Sequence, residues 1–526
     1  MRKFLVLARV QLRALLASFR VGGSRKRAAS GWAALALLAG LCLYLSGVYS
    51  FSLGGQLAQA GCLELLLSMM PAAAVIAGLA CTAFAAQGVV FGGRDADFLL
   101  SMPVSALAVL LAKLTALYVE NLLLCAFLML PAGAAWLWFG GGGGALFLVR
   151  LAAGTLFLAL LPTVLSLAGG YLLSWLGARL GNRKLVNLAL CVLLTAGILL
   201  LALRLNGLVG DLAAGALGAG EGESVWSLPF RLFQRGVCGQ WGELGLFSLG
   251  CLAPAALAAG IFAGSYRRVL TGLHSHGRRG SFRLGRLRTA GRRRALLRKE
   301  AGRYFGTPIY LFNTGIGLVL LPIMGIAAAV MGGKLQALLA PLGLPLLALA
   351  AAAMGAALST VAVTASSISL EGRTLWILKS SPVPAGEVLD SKAGFQLLLE
   401  APCLLVGGAG LAWGLGLSAA EGALLLLAGG AFACFTALLG LTVNLLFPKL
   451  DAVSDMAVVK QSMSAMLATL GGMAAAAVWG LAVWALAGKL GEAAALAACA
   501  LVLLALCALL YRWLHTRGVR RFAELV

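Results

Sequence analysis

Apolar runs of about 20 residues or more, the length a helix needs to cross a hydrocarbon layer roughly 30 Å thick, recur along the whole chain. They fall at about 32–55, 63–91, 104–138, 145–177, 185–204 and 244–265, and again at 308–332, 335–367, 385–417, 420–447, 461–487 and 490–511. The pattern predicts an all-α integral membrane protein of about twelve transmembrane helices. The first 20 residues break the pattern. Arg2, Arg9, Arg13 and Arg20 share one stripe of a helix, with Leu5, Leu12, Leu15, Leu16 and Phe19 beside or opposite it. Arg9 and Arg13 interrupt what a signal peptide would keep apolar, so this stretch reads as an amphipathic helix in the membrane interface. A second interfacial helix is expected near Ala295–Phe305. A shorter one is expected at Trp226–Phe233, within the Gly-rich segment 205–242.

Polar interruptions between the runs reveal an internal repeat. Residues 93–113 (GRDADFLLSMPVSALAVLLAK) align without a gap on residues 372–392 (GRTLWILKSSPVPAGEVLDSK). The pairs Gly93/Gly372, Arg94/Arg373, Leu99/Leu378, Ser101/Ser380, Pro103/Pro382, Val104/Val383, Ala106/Ala385, Val109/Val388, Leu110/Leu389 and Lys113/Lys392 are identical. The chain therefore reads as two six-span halves, 1–266 and 295–526, joined by a basic linker at 267–294. An even number of spans per half gives both the same orientation, with a pseudo-two-fold axis along the membrane normal. Each interruption predicts a short surface helix ahead of Ser-x-Pro-Val. Ser101 and Ser380 are expected to cap the following span, and Pro103 and Pro382 to sit in its first turn, where a missing N–H costs nothing. A turn alone does not explain the kept Gly-Arg, Leu, Ser and Lys, whereas a docking surface for a two-fold symmetric partner does.

Composition supports the membrane reading and charge orients it. Hydrophobic residues make up 61% of the 526 and charged ones 11%, too few for a water-facing surface. The net charge of +23 sits in clusters between apolar runs. That is the positive-inside pattern rather than a nucleic-acid face, so no nucleic-acid partner is expected. It places both termini, the linker and both repeated stretches in the cytoplasm of a cell (plasma) membrane protein, with lipid, partly anionic, as a contact. The eleven cysteines are scattered singly, and most lie inside apolar runs as packing residues. Cys62 and Cys238 lie near expected outer ends, where pairing is the less favoured reading. No metal site is expected.

Catalytic signatures are missing from the sequence. It has no GxxxxGK[ST], HExxH or GxSxG, so no cofactor and no reaction of its own are expected. Ionisable groups within spans point to transport, since a charge at mid-bilayer costs at least about 2.5–3.5 kcal/mol. Glu120 with Asn121 lies midway along the third run and Glu400 midway along the ninth; Asn121 and Glu400 align across the repeat. They read either as the polar lining of a translocation path or as a hydrogen-bonded helix contact. Pro71, Pro131, Pro162 and Pro402 are candidate kinks.

The two repeated stretches, the LLRKEAGRYFGTP lead into the second half and FPKLDAVSDMAVVKQSMSAM after the tenth run together resemble the fused, two-half permease subunits of ATP-binding cassette exporters of the type-2 class. The resemblance implies export powered by a separate cytoplasmic P-loop ATPase, in two copies, which binds ATP and Mg. It implies that the loop between the second and third spans of each half is a coupling helix that docks on that ATPase. The docking residues would be Arg94, Phe98, Leu99, Ser101 and Pro103 in the first half, and Arg373, Trp376, Leu378, Ser380 and Pro382 in the second. The interfacial helices at 1–20 and 295–305 would be the connecting helices beside them. The substrate (drug, peptide or lipid-like) is left open, and so are two other readings, an ion-coupled secondary transporter and a non-transporting membrane partner of an ATPase. A membrane enzyme acting on lipids would need an acid/base or metal constellation that the sequence does not offer.

Overall fold

In a computed structural model of the protein the described residues are 2–18, 25–91, 101, 104–179, 228–275, 291–339, 345–452, 455–460 and 462–525, with short helical pieces between 188 and 197. Among the described residues every regular element is helical, and ten helical stretches are long and apolar enough to cross a membrane. The expected run 185–204 lies largely outside the described residues, and the run 32–55 falls within one continuous helix. The chain divides into two compact units, the first lying mainly before residue 280 and the second mainly after it; residues 276–290 lie outside the described residues.

The first unit contains α1 (Arg2–Ser18), α2 (Arg25–Gln59), α3 (Leu66–Ala86), α4 (Ala106–Trp138), α5 (Gly144–Leu158), α6 (Leu160–Arg179), α7 (Leu228–Cys238) and α8 (Trp241–Ser275). Pro131 lies inside α4, which runs on for two turns. The glycine run ends it, with Gly140 at φ 91° and Gly143 at φ 123°, a region costly for a residue with a Cβ. The expected interfacial piece is α7. It buries Phe233 and Val237 and brings Gly236 so close to α8 that a Cβ there would lie 2.7 Å from Leu244 backbone atoms. Leu57, Leu67, Cys125, Phe147, Phe233 and Phe247 make the centre of this unit's core.

The second unit opens with α9 (Arg292–Gly306), the expected second interfacial helix, and α10 (Pro308–Met331), which begins with Pro308 in its first turn. The expected run 335–367 is not one helix. It is divided into α11 (Gly333–Leu339), α12 (Leu346–Ser359) and α13 (Thr364–Ser367), with Pro345 at the head of α12. A tight turn at Ser369–Thr374 leads to the short α14 (Leu375–Ser380). Then come α15 (Ala385–Gly414), α16 (Ala419–Leu446), α17 (Asp455–Val459), α18 (Met463–Leu490), α19 (Glu492–Trp513) and, after one wide turn, α20 (Val519–Glu524). Ser418 and Glu421 form a reciprocal capping box at the start of α16, and Ser462 caps α18.

Small residues let α10 and α15 touch backbone to backbone. A Cβ on Gly325 would lie 2.4 Å from the Gly407 carbonyl, and one on Gly410 would lie 2.4 Å from the Gly325 carbonyl. Close approach of this kind is how helices associate where apolar burial alone does not drive them together.

Candidate functional site

The most elaborate polar construction among the described residues surrounds α14. Gly372 stands just ahead of it at φ 50°, ψ −134°, a conformation that favours glycine and redirects the chain out of the preceding turn. Within α14, Leu375 and Leu378 are three apart and turn inward, whereas Trp376 and Ile377 are 66% and 53% exposed. The inner face packs with Leu296 of α9, Val388 of α15, Leu441 and Leu445 of α16, and Leu514 and Phe522 near the C terminus. Burying each leucine contributes roughly 1.5–3 kcal/mol, which holds a helix too short to be stable alone.

Beneath α14 lies a cluster of three cations and two carboxylates. The Lys392 side chain of α15 is fully buried, and its ammonium donates to Glu300 Oε1 at 2.9 Å, Glu371 Oε1 at 2.9 Å and the Ser367 carbonyl at 3.0 Å. Those are all three donors a lysine has. Arg303 of α9 donates to Glu371 Oε2 at 2.8 Å, and Lys299 of the same helix donates to Glu371 and, at 3.4 Å, to Glu300. Burial, and then the charge of Lys392, pull the Lys299 ammonium below its ordinary value even though both carboxylates oppose the shift. The cluster thus joins α9, the turn before α14 and α15 through charge-assisted bonds to two buried carboxylates, where losing one partner is expensive.

Two further contacts hold the same segment. Asn444, fully buried near the end of α16, accepts from the backbone N–H of Ile368 at 2.8 Å and of Ser369 at 3.2 Å. Its amide donates to the hydroxyls of Ser369 and Ser464 at 2.8 and 3.0 Å. At the far end of α14, Lys379 donates to the carbonyls of Ala523, at 2.9 Å, and Leu525. The short helix is therefore tied at its base and at its tip.

This geometry corrects the expected roles of the Ser and Pro. Ser380 is exposed and donates to the Ile377 carbonyl at 3.1 Å, so it closes α14 rather than capping α15. Ser381 is extended at φ −77°, ψ 147°, as the residue before a proline tends to be. The helix α15 starts only at Ala385 with Pro384 at its cap, so Pro382 lies in an exposed link. In the first unit Ser105, not Ser101, caps α4 by accepting from the Ala108 N–H at 3.3 Å, and Ser101 is exposed. Arg94, Phe98, Leu99 and Pro103 lie outside the described residues, and so does the side chain of Arg373.

The repeat combines buried and exposed positions. Among its matched positions, Leu378, Val388, Leu389 and Lys392 are buried and Gly372 makes the kink. Val109, Leu110 and Lys113 of the first unit are buried as well. Ser101, Ser380 and Pro382 are exposed, and the outward residues Trp376 and Ile377 stand where the first copy has Asp97 and Phe98. In the second unit the kink at Gly372 and the burial of Leu378 and Lys392 give those repeated residue types a structural role.

The intramembrane candidates occupy separate polar nodes, each inside its own unit. Asn121 is fully buried, donates to Thr163 Oγ1 at 3.1 Å and accepts from Thr82 Oγ1 at 3.3 Å; Thr82 also meets Ser166 at 2.6 Å. This ties α3, α4 and α6 together. Glu120, its neighbour, is half-buried. In the second unit Gln396 accepts from the Thr364 backbone N–H and hydroxyl, both at 3.0 Å, and donates to Glu400 Oε1 at 2.9 Å. The other Glu400 oxygen is buried with no hydrogen-bond partner among the described residues. Cys62 and Cys238 are free thiols. Among the described residues no group of three or more His, Cys, Asp and Glu could hold a metal ion.

Sequence reasoning did not place Glu300, Glu371, Lys392 or Asn444 in the site. Two signals pointed toward the cluster: the Lys113/Lys392 identity, and Glu300 standing as the one acid in the basic stretch 267–303. Glu371 and Asn444 carry no local signal, because their roles depend on helices distant in the chain. Comparison with known proteins finds no matching family model, no matching curated protein and no matching solved structure.

Proposed function

We propose that this chain is the membrane permease subunit of an ATP-binding cassette exporter. It moves an unidentified drug-, peptide- or lipid-like substrate outward by alternating access of two parallel six-span halves in the cell membrane. A separate cytoplasmic P-loop ATPase, in two copies, binds ATP and Mg and supplies the energy, and no reaction is assigned to this chain. Both termini face the cytoplasm in this reading. The observation that carries it is the exposed pair Trp376–Ile377 on a helix whose inner face and both ends are anchored. Exposed aromatic and aliphatic side chains on a rigid support are what a partner's pocket takes up, and the ion cluster below offers a stiff path from that contact to α9 and α15.

The test is to look for a P-loop ATPase in the neighbouring coding sequence and to co-purify it with this chain. Trp376→Asp with Ile377→Asp is expected to abolish the complex and stimulated ATP hydrolysis while the variant still elutes as a monodisperse species. An intact complex with unchanged hydrolysis would overturn the reading. One observation favours an ion-coupled transporter instead: the unpartnered Glu400 oxygen beside Gln396. Transport driven by a proton gradient without the ATPase, and lost in Glu400→Gln, would support that alternative.

A further inference from the structure

A groove of about 530 Å³ opens on the second unit between α9, α15, α16 and α19. Its size falls within the range of small-molecule sites, roughly 300–1,000 Å³. The lining changes character along its length. Arg293, Glu387, Asp390, Ser391 and Tyr511 gather at one end, and Leu397, Leu398, Cys434 and Leu438 line the other. Asp390, Gly394, Leu397 and Leu398 share one face of α15, so the groove follows that helix for about 12 Å at 1.5 Å per residue. Its floor is made shallow-walled by the small side chains of Ala393 and Ala437. Leu398 and Tyr511 are 62% and 48% exposed, so the groove is open along its side.

Partners at the polar end leave it unsaturated. Glu387 meets Arg292 at only 3.8 Å, and Arg292 is largely exposed. Asp390 meets His515 Nε2 at 3.3 Å, while His515 Nδ1 faces the Tyr511 carbonyl at 3.2 Å. Both ring nitrogens thus face acceptors, and a neutral imidazole donates to only one of them. A carboxylate accepts up to about four hydrogen bonds, so Glu387 and Asp390 retain capacity for a ligand with N–H donors. Arg293 beside them matches a phosphate.

We propose that this groove binds a zwitterionic phospholipid with a primary-amine headgroup. The ammonium meets Glu387 and Asp390, the phosphate meets Arg293, and one acyl chain lies along Leu397, Leu398 and Leu438. A choline headgroup has no N–H to give the carboxylates. A phosphatidylglycerol headgroup has no ammonium to set against Glu387 and Asp390. The proposal stands independently of the permease reading, because it concerns the lipid contact alone.

The test reconstitutes the full-length protein in phosphatidylcholine nanodiscs carrying a trace of photoactivatable phosphatidylethanolamine, phosphatidylcholine or phosphatidylglycerol, with cross-linked peptides mapped by mass spectrometry. Phosphatidylethanolamine is expected to label the peptides holding Leu397–Leu398 and Cys434–Leu438 about tenfold more than the other two, the equivalent of about 1.4 kcal/mol. Glu387→Gln with Asp390→Asn is expected to erase the headgroup preference, and Leu398→Trp to reduce labelling by all three probes. Should the double variant fail to fold, competition on the wild-type protein decides: unlabelled phosphatidylethanolamine must remove the label and phosphatidylglycerol must not. Equal labelling by the three headgroups, or labelling that unlabelled phosphatidylethanolamine does not displace, would overturn the proposal.

Discussion

Lys392 shows how much one side chain can carry. It is fully buried, with every donor used, and it stands between two carboxylates that have lost their water. Lys392→Met is expected to destabilise the second unit by about 1–3 kcal/mol for each buried acceptor left without its donor, although Lys299 and Arg303 still oppose the two carboxylates. Lys392→Met with Glu300→Gln should recover part of the loss, measured as the unfolding midpoint in detergent. Lys449, in the link between α16 and α17, acts in the opposite sense. Burial lowers its ammonium from 10.5 to about 8. Between those values the unfolded chain holds a proton that the folded chain has released, so stability rises with pH across that window. Below about 8 both states are charged and the fold carries the whole penalty. Lys449→Met is therefore expected to lose this part of the rise on going to alkaline pH.

At the scale of elements, α14 is a six-residue helix that exists because others hold it. Asn444 fixes its approach by satisfying two backbone N–H groups at Ile368 and Ser369. Asn444→Leu leaves those donors buried without partners, at about 1–3 kcal/mol each. Hydrogen exchange across 368–380 should accelerate in that variant while exchange in α10 stays unchanged. The crossing of α10 and α15 is set by absent side chains. Gly410→Leu has to push away the Gly325 backbone 2.4 Å from its Cβ and is expected to prevent folding of the unit. Gly430→Ala in α16 meets only the end of Leu404 at 4.0 Å, and should be neutral or stabilising by up to about 1 kcal/mol.

On the scale of the whole molecule, two compact units and ten candidate spans among the described residues agree with long apolar runs read from the sequence. The sequence by itself determined that long apolar helices recur along the chain, because length and apolar content are local properties, but not that 335–367 divides into α11, α12 and α13. It also predicted helices where α1, α7 and α9 lie, and the short helix ahead of Ser-x-Pro-Val in the second unit. It misjudged where α15 begins, because Pro382 and Pro384 both fit the first turn of a helix and only the path of the chain between α14 and α15 separates them. It marked Lys113 and Lys392 as equivalent without revealing that both are buried. Only the tertiary structure decided which repeated residues face inward, and it alone joined Glu300, Glu371 and Lys392. Those three come from α9, the turn before α14 and α15, and a bond between residues up to 92 positions apart leaves no periodicity in the chain to read.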